Sequence, residues 1–193
     1  EKAIMDMTSY AIESPWISLS GRRVQCWGGQ PNERTKFVPE PLPPWLVDIC
    51  TALVDAGVFP SEVRPNHVLI NEYANGEGIL PHSDGPMYFP KTATLSLGGS
   101  AIMTFEPRIS SGDIGEVSSD PICEVILRPR SLVVFEDAAY IDYMHAIASR
   151  QTDQVGSRAV PINLALSGAR HGEMVQRPAI RVSLTFRHVT AVR

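Results

Sequence analysis

Leu69-Ile70-Asn71-Glu72-Tyr73, the turn Ala74-Asn75-Gly76-Glu77-Gly78 and Pro81-His82-Ser83-Asp84-Gly85 make up the stretch whose reading decides the fold. Alternation in the first five residues places Asn71 and Tyr73 on one face of a strand and Ile70 and Glu72 on the other. Asparagine and two glycines within the next five are turn chemistry. The turn delivers His82 and Asp84, and on an extended backbone that spacing sends both side chains to the same side. Gly85-Pro86 then bends the chain away. A second histidine, His145, lies in Tyr143-Met144-His145-Ala146-Ile147, 61 residues after Asp84 and beyond the apolar run Leu132-Val133-Val134-Phe135. The order His, Asp, distal His is that of a 2-His-1-carboxylate iron site, which grips Fe(II) by one face and leaves positions open for a co-substrate and O2. A lone H-x-D is more often a satisfied turn, so the reading needs support elsewhere in the chain.

That support comes from Arg181-Val182-Ser183-Leu184-Thr185-Phe186-Arg187. Arg181, Ser183, Thr185 and Arg187 share one face of a strand, and Val182, Leu184 and Phe186 the other. Guanidinium groups turned inward from an otherwise apolar strand require anionic partners, because a buried unpaired charge is very costly. Two solutions satisfy the requirement. One is an internal ion pair, Arg187 with Asp84 or Glu72. The other is an anionic co-substrate, whose carboxylates match the rigid two-pronged donor set of arginine.

Residues 1–42 read as irregular, with scattered tryptophans, paired glycines and many prolines. A helix is expected over about 43–57. Pro43 and Pro44 open it where a missing N–H costs little, Trp45, Leu46, Ile49, Cys50, Leu53 and Val54 form an apolar stripe, and Gly57 stops it. Short strands follow at His67–Tyr73, Thr92–Leu97, Ala101–Glu106, Cys123–Leu127, Ser131–Phe135 and Ile180–His188. Gly98-Gly99 between two of them is a hairpin signal. This texture implies a β-sandwich or barrel rather than a βαβ sheet. The polar stretch 149–178, rich in Gly, Ser and Arg, reads as one long loop.

A chain of 193 residues fits a single domain, 1–193, large enough to bury a core without staples. Apolar content of 44% and mean hydropathy of −0.03 place it with soluble globular proteins and leave nothing to span a bilayer. Cys26, Cys50 and Cys123 lie far apart and read as reduced thiols of a cytosolic or nuclear protein. The net charge of −4 is unevenly spread. Residues 146–193 hold seven arginines against Asp153 and Glu173, a balance of +5, over a body at −9. The basic third could line a phosphate-facing surface.

Taken together, N-x-Y, H-x-D, the distal histidine and the terminal R-x-S-L-T-F-R resemble the AlkB family of Fe(II)- and 2-oxoglutarate-dependent dioxygenases. In that family the N-x-Y lies eleven residues before the metal histidine, as Asn71 does before His82. Gly21-Arg22-Arg23-Val24-Gln25 with Trp27-Gly28-Gly29, Glu72–Ile79, and Leu127 through Ile147 add to the resemblance, which spans about residues 15–190. It implies a mainly β (α+β) double-stranded β-helix, or jelly roll, with the helix as support and residues 1–42 as an irregular lid. It further implies Fe(II), 2-oxoglutarate and O2 as cofactors. His82, Asp84 and His145 would be the iron ligands, with Asn71, Tyr73, Arg181, Ser183 and Arg187 on the 2-oxoglutarate. Arg187 could also steady Asp84. Ser183 departs from the family's usual asparagine, and the interval from His145 to Arg181 is longer than in the bacterial member.

The same resemblance implies oxidative demethylation of N-methylated bases in RNA or DNA, single strands favoured, with the N-terminal lid clamping a base. Arg22, Arg23, Gln25, Trp27 and Tyr88 are the candidate substrate residues. Trp27 could equally pack its segment onto the core, and Arg22-Arg23 could be a solvated pair. The acidic body keeps a protein side-chain hydroxylase or demethylase open, and a nucleic-acid-binding member with little catalysis is a third reading. A monomer of the cytoplasm and nucleus, without membrane association, is the expectation. His67, His171 and His188 receive no functional role.

Overall fold

A computed structural model describes residues 1–10, 14–30, 37–108 and 120–190. In chain order its elements are α1 (Lys2–Tyr10), β1 (Ile17–Leu19), β2 (Arg22–Trp27), α2 (Pro44–Asp55), β3 (His67–Ala74), β4 (Ile79–His82), β5 (Lys91–Leu97), β6 (Ala101–Pro107), β7 (Cys123–Leu127), β8 (Leu132–Glu136), α3 (Ala138–Ile141), β9 (Tyr143–Ile147), β10 (Thr152–Gln154), α4 (Leu164–Ser167), β11 (Met174–Gln176) and β12 (Ile180–Arg187). A six-stranded antiparallel sheet runs β1-β2-β3-β12-β5-β8, and a four-stranded one runs β4-β9-β6-β7. The polar cavity described below is lined from both sheets, as in a jelly roll.

Strand β12 shows why the six-stranded sheet is buried on both sides. Val182, Leu184 and Phe186 enter a core with Trp27, Val68, Ile70 and the α2 residues Leu46, Cys50 and Leu53. Burying each such large side chain stabilises by about 1.5–3 kcal/mol. Its other face, Arg181, Ser183, Thr185 and Arg187, looks into the cavity. Helix α2 starts at the expected proline pair and ends where Gly57, at φ +72, lets Gly57 N–H and Val58 N–H reach the carbonyls of Val54 and Leu53. A second core, with Ala101, Met103, Phe105, Val125, Leu127, Phe135 and Ile147, joins the four-stranded sheet to β8.

Three expectations are corrected. The N-terminal region is more regular than its composition suggests: α1 covers residues 2–10, and β2 pairs antiparallel with β3, Val24 opposite Asn71 and Gln25 opposite Ile70. Its hydrogen bonds come from β3, a partner that local sequence does not reveal. Gly98-Gly99 is not a hairpin. Strand β5 pairs with β12 and β8, and β6 with β9 and β7, so the diglycine carries the chain from one sheet to the other. A Cβ on Gly99 would lie 2.0 Å from the Pro178 ring, which explains a glycine there without a turn. The stretch 149–178 is not an open loop either. Strands β10 and β11 pair within it, and Val155 and Val175 pack with Ile102 and Ile126 on the outside of the four-stranded sheet. Its polarity misled because its anchor is ionic: the buried Asp153 carboxylate takes a two-pronged bond from Arg177 (2.8 and 2.9 Å) and another from Arg150 (2.6 Å).

Strand β4 reaches β9 through close backbone contact. Gly78 packs so tightly that a Cβ would sit 2.2 Å from the Ile147 carbonyl oxygen. That contact sets the distance between the strands carrying His82 and His145. Gly78→Ala is expected to push β4 outward and weaken Fe(II) binding by about tenfold or more, the scale of lost outer-sphere support. Anaerobic titration with the metal, alongside circular dichroism to confirm the retained β fold, measures it. Unaltered affinity would show that the β4–β9 contact does not govern the ligand spacing.

Candidate active site

His82 ends β4 and lies directly opposite His145 of β9 in the sheet register. Asp84 follows two residues later, and ligand atoms from the three residues all lie within 4.8 Å of one another. His82 Nδ1 meets the Leu80 carbonyl oxygen at 2.9 Å. A carbonyl only accepts, so Nδ1 carries the proton and Nε2 is the nitrogen free to bind a metal. Burial lowers the pKa of His82, and brings that of His145 down to about 4, where it packs against Phe105 and Phe135. Neutral imidazoles are what metal ligation needs. Burial would raise the pKa of Asp84, but the Arg187 guanidinium, His145 and a hydrogen bond from Thr92 outweigh it and hold the carboxyl below its usual range. Arg187 Nη1 donates to Asp84 Oδ1 at 3.0 Å and Thr92 Oγ1 to Oδ2 at 2.7 Å.

The three residues share a cavity of about 180 Å3 with Arg22, Leu69, Asn71, Tyr73, Thr94, Arg181, Ser183, Thr185 and Arg187. This is small beside the roughly 300–1,000 Å3 of drug-sized ligand pockets. It suits a compact acid. Arg181 is fully enclosed. Its Nη2 donates to Ser96 Oγ at 2.8 Å, and its Cζ lies 5.4 Å from the Tyr73 ring centroid. Burial lowers its pKa, yet its Nε and Nη1 find no hydrogen-bond partner among the described residues. Buried guanidinium N–H groups without acceptors are destabilising by themselves. They fit a carboxylate group, so the residues present suit a dicarboxylate co-substrate beside a metal ion. Of the two solutions open for the arginines, the structure shows the ion pair for Arg187 and leaves Arg181 suited to the other. Arg187 pairs with Asp84, while Arg181 has no acidic partner among the described residues, and Glu72 goes to Arg23 instead.

The candidate co-substrate residues Asn71, Tyr73, Arg181, Ser183 and Arg187 are therefore brought together with the triad. The candidate substrate residues are not. Strand β2 alternates, so Arg22 lines the cavity while Arg23, Gln25 and Trp27 point to the opposite face. There Arg23 forks onto Glu72 and lies 4.5 Å over Trp16. Gln25 is buried and donates to the Thr8 carbonyl, and Trp27 packs edge-on against Trp45. Gln25 and Trp27 belong to the core, not to a lid. Tyr88 lies under Arg187, 4.5 Å from its Cζ, and beside His67, outside the residues that line the cavity.

Sequence reasoning missed Thr92, Thr94 and Ser96, which alternate along β5 and support Asp84, Thr185 and Arg181 in turn. The polar period of two in Thr92-Ala93-Thr94-Leu95-Ser96 was a usable signal. It also missed Arg108, whose Nη2 donates to Ser83 Oγ between the two candidate ligands. His67, given no role, is buried with Nε2 3.3 Å from Cys26 Sγ and Nδ1 unpartnered among the described residues. Burial and the nearby Arg187 lower its pKa to about 3.

Two facing antiparallel sheets, two neutral imidazoles with one ionised carboxylate, and an arginine fork awaiting an acid define an iron-dependent oxygenase with a dicarboxylate co-substrate. Comparison with known proteins agrees: the model of the 2OG-Fe(II) oxygenase superfamily matches residues 21–187. The chain belongs to that superfamily, on its AlkB side, and its cofactors are Fe(II), 2-oxoglutarate and O2. It is 33% identical over 195 residues to the probable RNA/DNA demethylase ALKBH6 of Danio rerio, covering 100% of this chain and 81% of that one. It is 28% identical over 195 residues to the tRNA (carboxymethyluridine(34)-5-O)-methyltransferase alkbh8 of Xenopus tropicalis, covering 98% of this chain and 30% of that longer protein. The solved structure of OsALKBH1 has the same fold, with a TM-score of 0.58 at 16% identity over 97% of this chain and 91% of that one.

Two measurements follow from this geometry. Thr92→Val removes a hydrogen bond that orients Asp84, and Fe(II) affinity should fall by about tenfold or more with the fold intact; unchanged affinity would show that this bond does not orient the carboxylate. The buried neutral His67 makes the folded state resist protonation. Its pKa is depressed, so its contribution is present above the ordinary value of 6.5 and is lost as the pH falls toward 3. Between pH 7 and 5 the metal-free protein should lose stability, and His67→Leu should reduce that loss by on the order of 2 kcal/mol. Urea unfolding at the two pH values measures it, and an equal loss in both proteins would contradict the assignment.

Proposed function

We propose that this chain is an oxidative demethylase of N-methylated bases in single-stranded nucleic acid. In this reading His82, Asp84 and His145 hold the iron, and Arg181, Tyr73, Asn71, Ser183 and Arg187 hold 2-oxoglutarate. The observation that carries it is the unpaired, enclosed Arg181 fork in one cavity with the triad. The nucleic-acid substrate is supported by the near full-length likeness to a relative named as a probable RNA/DNA demethylase.

When bound, iron and 2-oxoglutarate supply the oxidising chemistry, with succinate and CO2 as products and a hydroxylated C–H bond on the substrate. The chain's own residues prepare for it. His82 and His145 are neutral donors, the former fixed in tautomer by the Leu80 carbonyl. Asp84 is held as a carboxylate in one orientation by Arg187 and Thr92. Arg181 turns its free N–H groups to the acid, and Leu69, Ile79, Met103 and Ile147 wall the cavity against water. Hydroxylation of an N-methyl group gives a hemiaminal that releases formaldehyde and leaves the nitrogen bearing hydrogen.

In this reading the exposed Arg108, tied to the cavity-lining Ser83 and to the Ile141 carbonyl, is a cation for the phosphates of the substrate. Arg108→Ala is expected to weaken binding of single-stranded oligonucleotides and to reduce the slope of log affinity against log salt by about one. The iron–2-oxoglutarate charge-transfer band should be unchanged. The direct test of the reading is formaldehyde release from methylated single-stranded RNA and DNA in equal amount to succinate, lost in His145→Ala. Succinate formed with a methylated or proline-bearing peptide but not with any oligonucleotide would replace it with the protein-substrate reading.

A further inference from the structure

Arg22 stands apart from the other residues first considered for substrate contact. Alternation along β2 turns it into the cavity, where it shares the lining with Arg181, Arg187, His82 and Asp84. Its Nε donates to Asn71 Oδ1 at 3.0 Å. A guanidinium has donors and no acceptor, so the carboxamide must present its oxygen to Arg22. The Nδ2 end of Asn71 is then the end left to donate. Without Arg22 the two ends of that amide could exchange by a half-turn of the side chain.

The register of β3 and β12 shows where such a donor would act. Tyr73 lies opposite Arg181, Asn71 opposite Ser183, and His67 opposite Arg187. Along this strand pair the unpaired Arg181 fork marks one end of the cavity. Arg187, bound to the candidate ligand Asp84, marks the other. Asn71 stands between them. A dicarboxylate held at one end by Arg181 therefore brings its second, keto-acid end past Asn71 toward the metal side. Charge points the same way. Arg187 is engaged by Asp84, whereas Arg22 and Arg181 line the cavity with no acidic partner among the described residues. The Nη groups of Arg22 likewise take no partner among the described residues.

We propose that Arg22 is a positioning residue for 2-oxoglutarate: it locks the Asn71 carboxamide so that Nδ2 donates to the keto-acid end of the co-substrate. The proposal rests on the reading of this cavity as the 2-oxoglutarate site, and it moves Arg22 from the nucleic-acid substrate to the co-substrate. Arg23, its sequence neighbour, has no part in it.

The test measures binding rather than turnover. Protein loaded with Mn(II), which does not support the oxidation, is titrated with 2-oxoglutarate by calorimetry. The variants are Arg22→Gln, Arg22→Lys, Asn71→Ala, the double variant Arg22→Gln/Asn71→Ala, and Arg181→Ala as a control for the cavity itself. Loss of one charge-assisted contact should weaken 2-oxoglutarate by about tenfold in Arg22→Gln, and Arg22→Lys, which keeps a donor, should recover part of it. In the double variant the loss should equal that of Asn71→Ala alone, because the effect of Arg22 passes through the amide. Losses that multiply would overturn the route through Asn71. Unchanged 2-oxoglutarate affinity in Arg22→Gln, with weaker oligonucleotide binding, would overturn the proposal and return Arg22 to the substrate. Unchanged affinity in Arg181→Ala as well would remove the co-substrate reading of the cavity, and the proposal with it. Thermal unfolding midpoints of Arg22→Gln and wild type should coincide, since the arginine is half-buried at the mouth and carries no core packing; a lower midpoint in Arg22→Gln that accounts for the binding loss would make the role structural and also overturn the proposal.

Discussion

The ion pair between Asp84 and Arg187 ties the irregular turn after β4 to the central strand β12. Both side chains are buried, their contact is 3.0 Å, and the guanidinium is also covered by the Tyr88 ring. Two opposite charges removed from water hold each other in place, and losing either one would leave the other unpaired at a cost of about 3–5 kcal/mol. Burial would lower the pKa of Arg187, and Asp84, with Tyr88, Tyr140 and Cys26, reverses that. Asp84 is consequently charged, oriented and placed before any metal arrives. Its partner histidines are positioned by a different device, the antiparallel pairing of β4 with β9. The site is the intersection of one ion pair and one strand register.

The charge of the cavity follows from the alternation of β12 and β2. Arg22, Arg181 and Arg187 line it against a single carboxylate, Asp84, with both imidazoles neutral. The excess of two positive charges complements a dicarboxylate. Iron adds two more, so the mouth stays attractive to an anionic substrate after the acid is seated. The Nε and Nη1 groups of Arg181, without an acceptor among the described residues, suit the carboxylate of such an acid. Strand β5 completes the arrangement with three hydroxyls, each assigned to one charged or polar neighbour.

How far the sequence could be read depended on whether a signal was local. The six strands expected from His67 onward match β3, β5, β6, β7, β8 and β12 within a residue or two, because turn residues bound them, whereas β4 and β9, which carry His82 and His145, were not among the expected strands. Helix α2 was legible from its proline start and glycine stop. The failures share a cause. Residues 1–42 and 149–178 are polar, glycine-rich and short in period, and the elements within them depend on partners distant in the chain: β3 for β2, and Ile102, Ile126 and Glu124 for the segment from β10 to β11. Gly98-Gly99 looked like a turn because two strands flank it, and adjacency in sequence does not say which sheet each strand joins.

The sequence by itself determined the chemistry available: two histidines and an aspartate in metal-binding order, and two arginines on one face of a strand whose other face is apolar. Spacing and periodicity are properties of a short backbone segment, so they survive without knowledge of the fold. Tertiary structure alone decided the use of each charge. It gave Arg187 to Asp84, left Arg181 open, split Arg22 from Arg23 across the sheet, and moved Gln25 and Trp27 into the core. Those outcomes depend on which strands become neighbours and in what register, and a shift of one residue in that register would turn every one of these side chains to the opposite face.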